Sequence, residues 1–174
     1  MTDPRYPIGK YERRDVLTPD ERAAMIEQIA ATPAKMREAV AGLTPQQLET
    51  PYRDGGWTLR QVVHHVPDSH MNSYVRFKLG LTEQAPTIRP YDEARWAELA
   101  DSRDTSLETS MTLLESLHDR WVRLLRAMSA EDFQRTLNHP ENGMMTLDAM
   151  LALYAWHGRH HVAHITSTRA RNGW

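Results

Sequence analysis

Apolar residues recur at intervals of three and four along four stretches of the chain, the spacing that lines one face of an α-helix. The pattern predicts long helices over residues 19–40, 59–79, 105–128 and 146–169. A threonine followed three residues later by glutamate or glutamine precedes the first two, which is typical of a helix start. Four apolar stripes of about 20 residues are buried best against one another, so we predict an all-α fold, a four-helix bundle.

The segments between these helices predict shorter elements. Short helical turns are expected after Thr44, near Asp92 and over residues 129–133, and no segment indicates a convincing strand. Residues 1–17 show no periodicity, so we expect an extended N-terminal arm on a single domain that covers residues 1–174. Pro33 and Pro67 fall inside the first and second long helices, where proline predicts a kink or a restart.

Composition narrows the classes of function. The chain has 174 residues, a net charge of -2 with histidine neutral, and no cysteine. The charge does not indicate a nucleic-acid partner. No apolar run approaches the ~20 residues of a membrane span, and the N-terminus lacks the apolar stretch of a secretory signal, so we expect a cytoplasmic protein without a membrane partner. Any bound metal must be held by nitrogen and oxygen ligands, since there is no thiolate.

The segment YAWHGRHHVAHI, residues 154–165, holds four of the nine histidines. At 100° per residue, His161 lies about 40° and His164 about 20° from His157 around the helix axis, and His160 lies about 60° to the other side. The apolar stripe of the fourth helix passes through His157, His161 and His164. His157 and His161 are therefore expected to face the interior one turn apart, a spacing that lets two imidazoles bind one metal ion.

The second helix offers a further ligand. His65, three residues after Val62, fits the inward stripe at least as well as His64. Three neutral imidazoles meeting inside a bundle suit a divalent transition metal, with zinc expected first and nickel, manganese or iron also able to bind. Three protein ligands leave a coordination position open, as in catalytic sites. The alternative is a set of hydrogen-bonded core histidines, because H-x-x-x-H without the glutamate of H-E-x-x-H is a weak signal.

Several segments, in this order, make the chain resemble the DinB-like superfamily, and more closely its YfiT-type members. They are YPIGKYE (6–12), TPYRDGGWT (50–58), the helix around VVHHV (62–66), IRPYDEARWAEL (88–99), YAWHGRHHVAHI (154–165) and the terminal Gly173-Trp174. YfiT-type proteins are described as metal-dependent hydrolases and are related to bacillithiol transferases. The resemblance covers nearly the whole chain and implies a four-helix bundle with one metal ion held by three histidines.

The resemblance also implies which histidines bind the metal. The second histidine of VVHHV is His65, and the first and last histidines of HGRHH are His157 and His161. The analysis of helix faces points to the same three residues. Pro67 departs from the family pattern, which favours a small helix former there, and bears on the local path of the helix and the shape of the pocket.

Three functions are compatible with such a site. The first, and the one we expect, is transfer of a low-molecular-weight, bacillithiol-like thiol to an electrophilic small molecule, because metal coordination lowers the pKa of a thiol. The sulfur would arrive with the cosubstrate, which fits a chain without cysteine. The second is hydrolysis by water whose pKa the metal lowers. The third is a binding or sensor module that uses the metal without turnover.

Carboxylates near the ligands bear on the choice between these functions. A glutamate in the H-E-x-x-H position is missing, because Gly158 follows His157. Asp68 and Asp148 are the remaining candidates for a base, and Asp68 could equally orient a ligand histidine.

His164 is expected either to line the site or hydrogen-bond a ligand, or to have a core or solvent-facing role.

The remaining polar and aromatic candidates are assigned mainly to the surface. His70 and Asn72 are expected to pack near the surface beyond Pro67 rather than to meet substrate, and Arg159 to point off the apolar stripe. Arg76 and Lys78 are expected on solvated faces. A homodimer is possible, and Trp96 and Trp121 could help to form an apolar patch for it.

Overall fold

The computed structural model describes residues 3–174, and within this range the four predicted long helices form a bundle. They are α1 (Pro19–Val40), α3 (Leu59–Thr82), α6 (Leu107–Ala127) and α8 (Leu147–Asn172). The connections contain the short helices α2 (Pro45–Leu48), α4 (Glu93–Trp96), α5 (Ala100–Asp104) and α7 (Ala130–Gln134), and the strands β1 (Thr136–His139) and β2 (Gly143–Thr146). The predicted all-α, four-helix-bundle fold with extra short helices is confirmed.

The helices begin where the sequence signals predict. Thr18 and Glu21 form a reciprocal capping box at α1, and Thr58 and Gln61 form another at α3. Each box satisfies two backbone N–H groups that the first helical turn leaves without partners. Pro33 lies inside α1 and Pro67 lies inside α3, and both helices continue across them, so neither proline restarts its helix.

The absence of strands was predicted wrongly. Strands β1 and β2 form an antiparallel hairpin in which Leu137 pairs with Met145. Each strand has only four residues, too short for alternation to stand out from the apolar spacing of the neighbouring helices. The connection after α3 joins this hairpin, because the Ile88 N–H donates to the Asn138 carbonyl at 3.0 Å and the Asn138 N–H donates to the Pro86 carbonyl at 2.9 Å.

Packing gives the bundle two apolar clusters. Helix α1 contacts α6 and α8, and α3 contacts the same two helices, so α1 and α3 occupy opposite corners. One cluster is centred on Phe77, Trp121 and Leu151, and the other includes Val62 and Leu114. A set of histidines on α3, α6 and α8 lies between the two clusters. We call this set the polar layer; its members are His65, His70, His118, His157 and His161.

The segment before α1 runs along α8. Tyr11 Oη donates to the Ala149 carbonyl at 3.1 Å, and Trp156 Nε1 donates to the Gly9 carbonyl at 3.3 Å. Leu17 is buried in the apolar core. Among residues 3–174, no helix combines the length and the apolar character that crossing a membrane requires.

Candidate metal centre

The three predicted ligands meet within the polar layer. His157 Nε2 lies 3.3 Å from His65 Nε2 and 3.2 Å from His161 Nε2. The three potential ligand atoms all lie within 4.8 Å of one another, and no carboxylate of residues 3–174 joins the group. The i, i+4 spacing stacks His157 and His161 on the face of α8 that α3 covers, and α3 supplies His65.

Burial keeps these imidazoles neutral. It lowers the pKa of His65 to about 3, and it lowers the pKa values of His157 and His161 well below the ordinary value of 6.5. The other imidazoles of the cluster add smaller effects in the same direction. At neutral pH each ring therefore retains a free lone pair on one nitrogen, which is the form that binds a metal.

A chain of hydrogen bonds determines which nitrogen of His157 carries the proton. The Ile29 carbonyl can only accept, so His118 Nδ1, at 2.8 Å, must donate to it. His118 is neutral, because burial lowers its pKa to about 4, and its Nε2 therefore accepts from His70 Nδ1 at 2.8 Å. His70 Nε2 in turn accepts from His157 Nδ1 at 3.1 Å. The Nε2 lone pair of His157 is thereby directed at the other two ligands.

A second chain of hydrogen bonds determines which nitrogen of His161 carries the proton. The Arg5 carbonyl lies 3.4 Å from His164 Nε2, which donates to it. His164 Nδ1 then accepts from His161 Nδ1 at 3.4 Å, so the proton of His161 is on Nδ1 and its lone pair is on Nε2. Metal-binding histidines commonly donate their second ring N–H in this manner to a carbonyl or another acceptor.

The two chains leave a pair of acceptors facing each other. His157 Nε2 and His161 Nε2 lie 3.2 Å apart, and neither carries a proton. Two lone pairs at this distance repel each other unless a cation lies between them or beside both. Two imidazoles whose lone pairs face each other, with the neutral His65 ring beside them, fit a divalent transition metal.

A cavity of about 320 Å³ opens over the three histidines. Aromatic side chains form much of its wall, and Trp57 is tilted against the His65 ring with a centroid separation of 4.7 Å. Arg76 and His139 line one side, and the exposed Glu93 and Glu141 lie at its rim. The segment before α4 and the β1–β2 hairpin therefore complete a cavity whose floor is formed by α3 and α8.

The carboxylates considered as bases lie elsewhere. Asp148 is fully buried, and both its oxygens accept from Arg22 at 2.7 and 2.8 Å, with further hydrogen bonds from the Leu17 N–H and Gln134 Nε2. Asp68 does not line the cavity; burial raises its pKa to about 6, and the charge of Asp101 adds to the effect.

Two predicted positions and one unforeseen residue belong to the polar layer's hydrogen bonds. The prediction that His70 packs near the surface was wrong, because the residue is fully buried between His118 and His157. His164 is buried and hydrogen-bonds the ligand His161, one of the alternatives. His118 was not identified from the sequence, although it lies on the apolar stripe of α6 between Leu114 and Trp121, where its inward direction could have been inferred.

Three surface predictions have mixed outcomes. Arg76 is buried rather than solvated, whereas Arg159 is exposed and lies outside the cavity over the histidines. Trp121 is fully buried in the core and cannot contribute to a surface patch, while Trp96 is 39% exposed. The homodimer stays a prediction, but Trp121 cannot be part of its interface.

Comparison with known proteins gives consistent results. A sequence profile of the DinB superfamily matches residues 28–165. Proteins from Bacillus cereus (strain 03BB102) and Bacillus thuringiensis subsp. konkukian (strain 97-27) are each 54% identical over 174 residues, 100% of both chains, and carry the name "Putative metal-dependent hydrolase".

Solved structures match as well. The structure of YfiT from Bacillus subtilis, described as "a probable metal-dependent hydrolase with an unusual four-helix bundle topology", superposes with a TM-score of 0.96 at 49% identity, over 99% of each chain. The four-helix bundle protein TT2238 superposes with a TM-score of 0.59 at 19% identity, over 88% of this chain and 99% of that one, and supports the fold alone.

Proposed function

Because the chain belongs to the DinB superfamily, we propose that it is a metal-dependent hydrolase of a small molecule. His65, His157 and His161 would hold one divalent transition metal ion, with zinc as the first candidate. The names of the full-length relatives and of the YfiT structure support the hydrolase assignment.

One observation carries the proposal. His157 Nε2 and His161 Nε2 are both acceptors and lie 3.2 Å apart, with His65 Nε2 3.3 Å from the former. A structural core would place a donor opposite each acceptor, because a buried polar atom without a partner costs about 1–3 kcal/mol. The hydrogen-bond chains instead direct the Nε2 lone pairs of His157 and His161 at each other. His157 Nε2 has possible donors in Ser69 Oγ at 3.5 Å and His65 Nε2 at 3.3 Å, whereas among residues 3–174 His161 Nε2 contacts only the His157 lone pair.

The residues around the three histidines would supply an aromatic lining and a hydrogen-bond donor for a substrate. A bound divalent ion would supply Lewis acidity and lower the pKa of a water or thiol in the cavity. Trp57, Tyr154 and Trp156 line the cavity and limit the access of bulk water. Tyr91 also lines it, and burial raises the pKa of its hydroxyl, so Tyr91 Oη keeps its proton at neutral pH and can donate to a substrate oxygen.

Thiol transfer is a second candidate, favoured by a different observation. No carboxylate of residues 3–174 shares the ligand cluster, and the two that line the cavity, Glu93 and Glu141, are exposed at its rim, so a water nucleophile would have no carboxylate base among the ligands. A low-molecular-weight thiol ionises far more readily than water. Its sulfur would form a bond to the electrophilic carbon as the leaving group departs with the bonding electrons, and the thiol proton would pass to solvent.

Metal analysis of purified protein tests the site itself. The wild-type chain is expected to hold about one metal ion, and His65→Ala, His157→Ala and His161→Ala are expected to lose it. His64→Ala is the matched control, because His64 is the buried neighbour of His65 on α3 and its Nδ1 contacts Ser110 Oγ at 2.7 Å instead of the cluster. A full metal complement in all three ligand variants would remove the proposal.

Turnover assays separate the functions once the metal is established. Substrate consumption that stops on chelation and returns with metal is expected for either enzyme. Product formed in ¹⁸O-labelled water carries the label if the reaction is hydrolysis, whereas a sulfur adduct that requires added thiol indicates transfer. Ligand binding without consumption across ester, amide, epoxide and halide substrates would favour the sensor module and contradict both enzyme functions.

A further inference from the structure

One side of the cavity carries hydrogen-bond donors for which the protein provides no acceptor. We propose that Arg76 and His139 bind a carboxylate group of the substrate, which therefore has an acid at one end and its reacting group at the other. The assignment of the reacting end to the three histidines rests on the proposed function. The carboxylate site itself rests on the surroundings of Arg76 and His139.

Arg76 is a buried charge without an opposite charge. The residue is only 7% exposed, and its Nη2 donates to the Arg89 carbonyl at 3.2 Å. Within residues 3–174, no carboxylate lies within 4.0 Å of its guanidinium nitrogens. Enclosing a charge without a partner is costly, and a ligand of opposite charge in the cavity would offset that cost.

The guanidinium has donors left for such a ligand. It carries five N–H groups in a planar fork, and its hydrogen bond to the carbonyl of Arg89 uses one of them. The remaining nitrogens are not among the enclosed side-chain atoms that lack partners, so they keep some accessible surface, and Arg76 lines the cavity. This fork matches the two oxygens of a carboxylate.

His139 supplies a second donor on the same side. The backbone N–H of Glu141 donates to His139 Nδ1 at 3.2 Å, so Nδ1 is an acceptor and the proton of the neutral ring is on Nε2. Burial and the nearby charge of Arg76 lower the pKa of His139, which keeps the ring neutral and leaves Nε2–H as a donor. The hairpin thus brings an uncharged N–H group beside the guanidinium.

The acidic residues of the cavity form no ion pair with Arg76, although the charge of Glu141 acts on His139 in the direction opposite to that of Arg76. Glu93 and Glu141 line the cavity, but both are exposed at the rim, whereas Arg76 and His139 are buried in the wall. One full positive charge with a neutral donor suits a single negative charge, which favours a carboxylate over a phosphate dianion. A volume of about 320 Å³ restricts the occupant to a small organic acid derivative.

Acetate titration of the metal-free protein tests the carboxylate site, with ¹⁵N NMR of the Arg76 Nε–H and His139 Nε2–H groups as the readout. Removing the metal excludes acetate binding at the three histidines. Saturable shifts of both groups are expected, and the dissociation constant for acetate should rise at least ~10-fold in Arg76→Met, because the charge-assisted hydrogen bonds of the guanidinium are lost.

Arg159→Met is the matched control, because Arg159 is exposed and outside this cavity; its acetate affinity should equal that of the wild type. If Arg76→Met does not fold, His139→Phe provides the second variant, with an expected loss in affinity and no shift of the metal content. Absence of a saturable shift, unchanged affinity in the Arg76 or His139 variant, or tighter binding of inorganic phosphate than of acetate would overturn the proposal.

The two proposals fail in different ways. If the histidines bind no metal, the acetate shifts of the metal-free protein persist unchanged. If Arg76 and His139 bind no acetate, the metal content stays at about one ion per chain.

Discussion

At the scale of single residues, two backbone carbonyls determine the tautomers of two of the three proposed ligands. The Ile29 carbonyl acts on His157 through His118 and His70, and the Arg5 carbonyl acts on His161 through His164. Because a carbonyl neither gains nor loses a proton, each chain fixes a tautomer and does not conduct protons. His70 and His118 are therefore positioning residues that act on the metal through His157.

Replacing the far end of the longer chain tests this role. His118→Phe removes the acceptor for His70 Nδ1, so His70 and His157 lose their fixed tautomers, and metal affinity is expected to fall 10- to 100-fold. Competition with a chromophoric chelator measures the affinity, and ¹⁵N NMR of the metal-free protein reads the proton position on His157.

His64→Phe is the control for burying an extra phenyl ring, since His64 is also buried and lies outside both chains. It should retain wild-type metal affinity. Equal affinity in His118→Phe and wild type, with the His157 proton unmoved, would contradict the assignment of the chain.

The sequence could predict only part of the site. The one-turn spacing of His157 and His161 is a property of one helix, so periodicity alone indicates their common direction. The stripe of α6 indicates that His118 faces inward, but its hydrogen bond to His70 and the burial of Arg76 depend on which elements pack opposite, and no single stripe contains that information. Arg76 occupies a position of α3 that the sequence pattern assigns to solvent. In the structure, the hairpin and the segment around Tyr91 cover it.

At the scale of elements, α1 and α8 cross at a glycine. A Cβ atom at Gly158 would lie 2.6 Å from Thr32 Oγ1 and 2.9 Å from Thr32 Cγ2. The position after His157 therefore packs against α1, which gives a physical reason why no glutamate stands there. The close approach of the two helices also limits sliding of α8 along α1 at the position next to His157.

Gly158→Ala measures this contact. Helix propensity alone would raise the free energy of unfolding by about 1 kcal/mol, but the clash with Thr32 is expected to lower it by about 1–3 kcal/mol instead. Urea denaturation gives the value. In a Thr32→Ala background most of the loss should disappear, and an equal loss in both backgrounds would show that Thr32 is not its cause.

The start of α8 is held by a buried ion pair. Arg22 of α1 binds Asp148 through two hydrogen bonds, and the carboxylate is fully buried. Arg22→Met leaves that charge with only two neutral donors, so the free energy of unfolding should fall by about 3 kcal/mol.

Urea denaturation also tests this value, with Arg126→Met as the control. Arg126 forms its ion pair with Glu27 on the exposed surface, where such a pair contributes less than about 1 kcal/mol. Similar losses in the two variants would contradict a special role for the buried pair.

At the scale of the whole molecule, the bundle was predictable from the apolar stripes and the capping residues. The ends of α1 agree with prediction, and α3 and α8 each extend three residues beyond it. The β1–β2 hairpin was missed because its pairing depends on contacts between short segments, including Asn138 with Ile88 and Pro86. The cavity wall that these segments build could not be foreseen for the same reason.

Acid sensitivity is a property of the whole chain. Burial is the largest cause of a lowered pKa at all nine histidines. Because each folded-state pKa lies below the unfolded value of about 6.5, the unfolded chain binds more protons as the pH falls past that value. The contribution of the histidines to the free energy of unfolding is therefore complete above about pH 7. It decreases as the pH falls toward their folded-state pKa values.

Urea denaturation of the metal-free protein at pH 7.5 and pH 5.5 tests this expectation. A loss on the order of several kcal/mol is expected at pH 5.5, since each histidine contributes up to about 1.4 kcal/mol per pH unit. The comparison stops at pH 5.5 because ion-paired carboxylates begin to titrate below it. Equal stability at the two pH values would mean that the histidines are not held neutral by the fold.

The cavity draws its floor and its wall from parts of the molecule that obey different constraints. The floor histidines are fixed by helices whose packing tolerates little change, as the contact between Gly158 and Thr32 illustrates. Much of the wall comes from residues 86–93 and the hairpin, which lie on the surface of the bundle. Exchanging these two short segments between relatives should alter which compounds are accepted while the reactive apparatus stays intact, so diversification of substrate range need not pass through unstable intermediates.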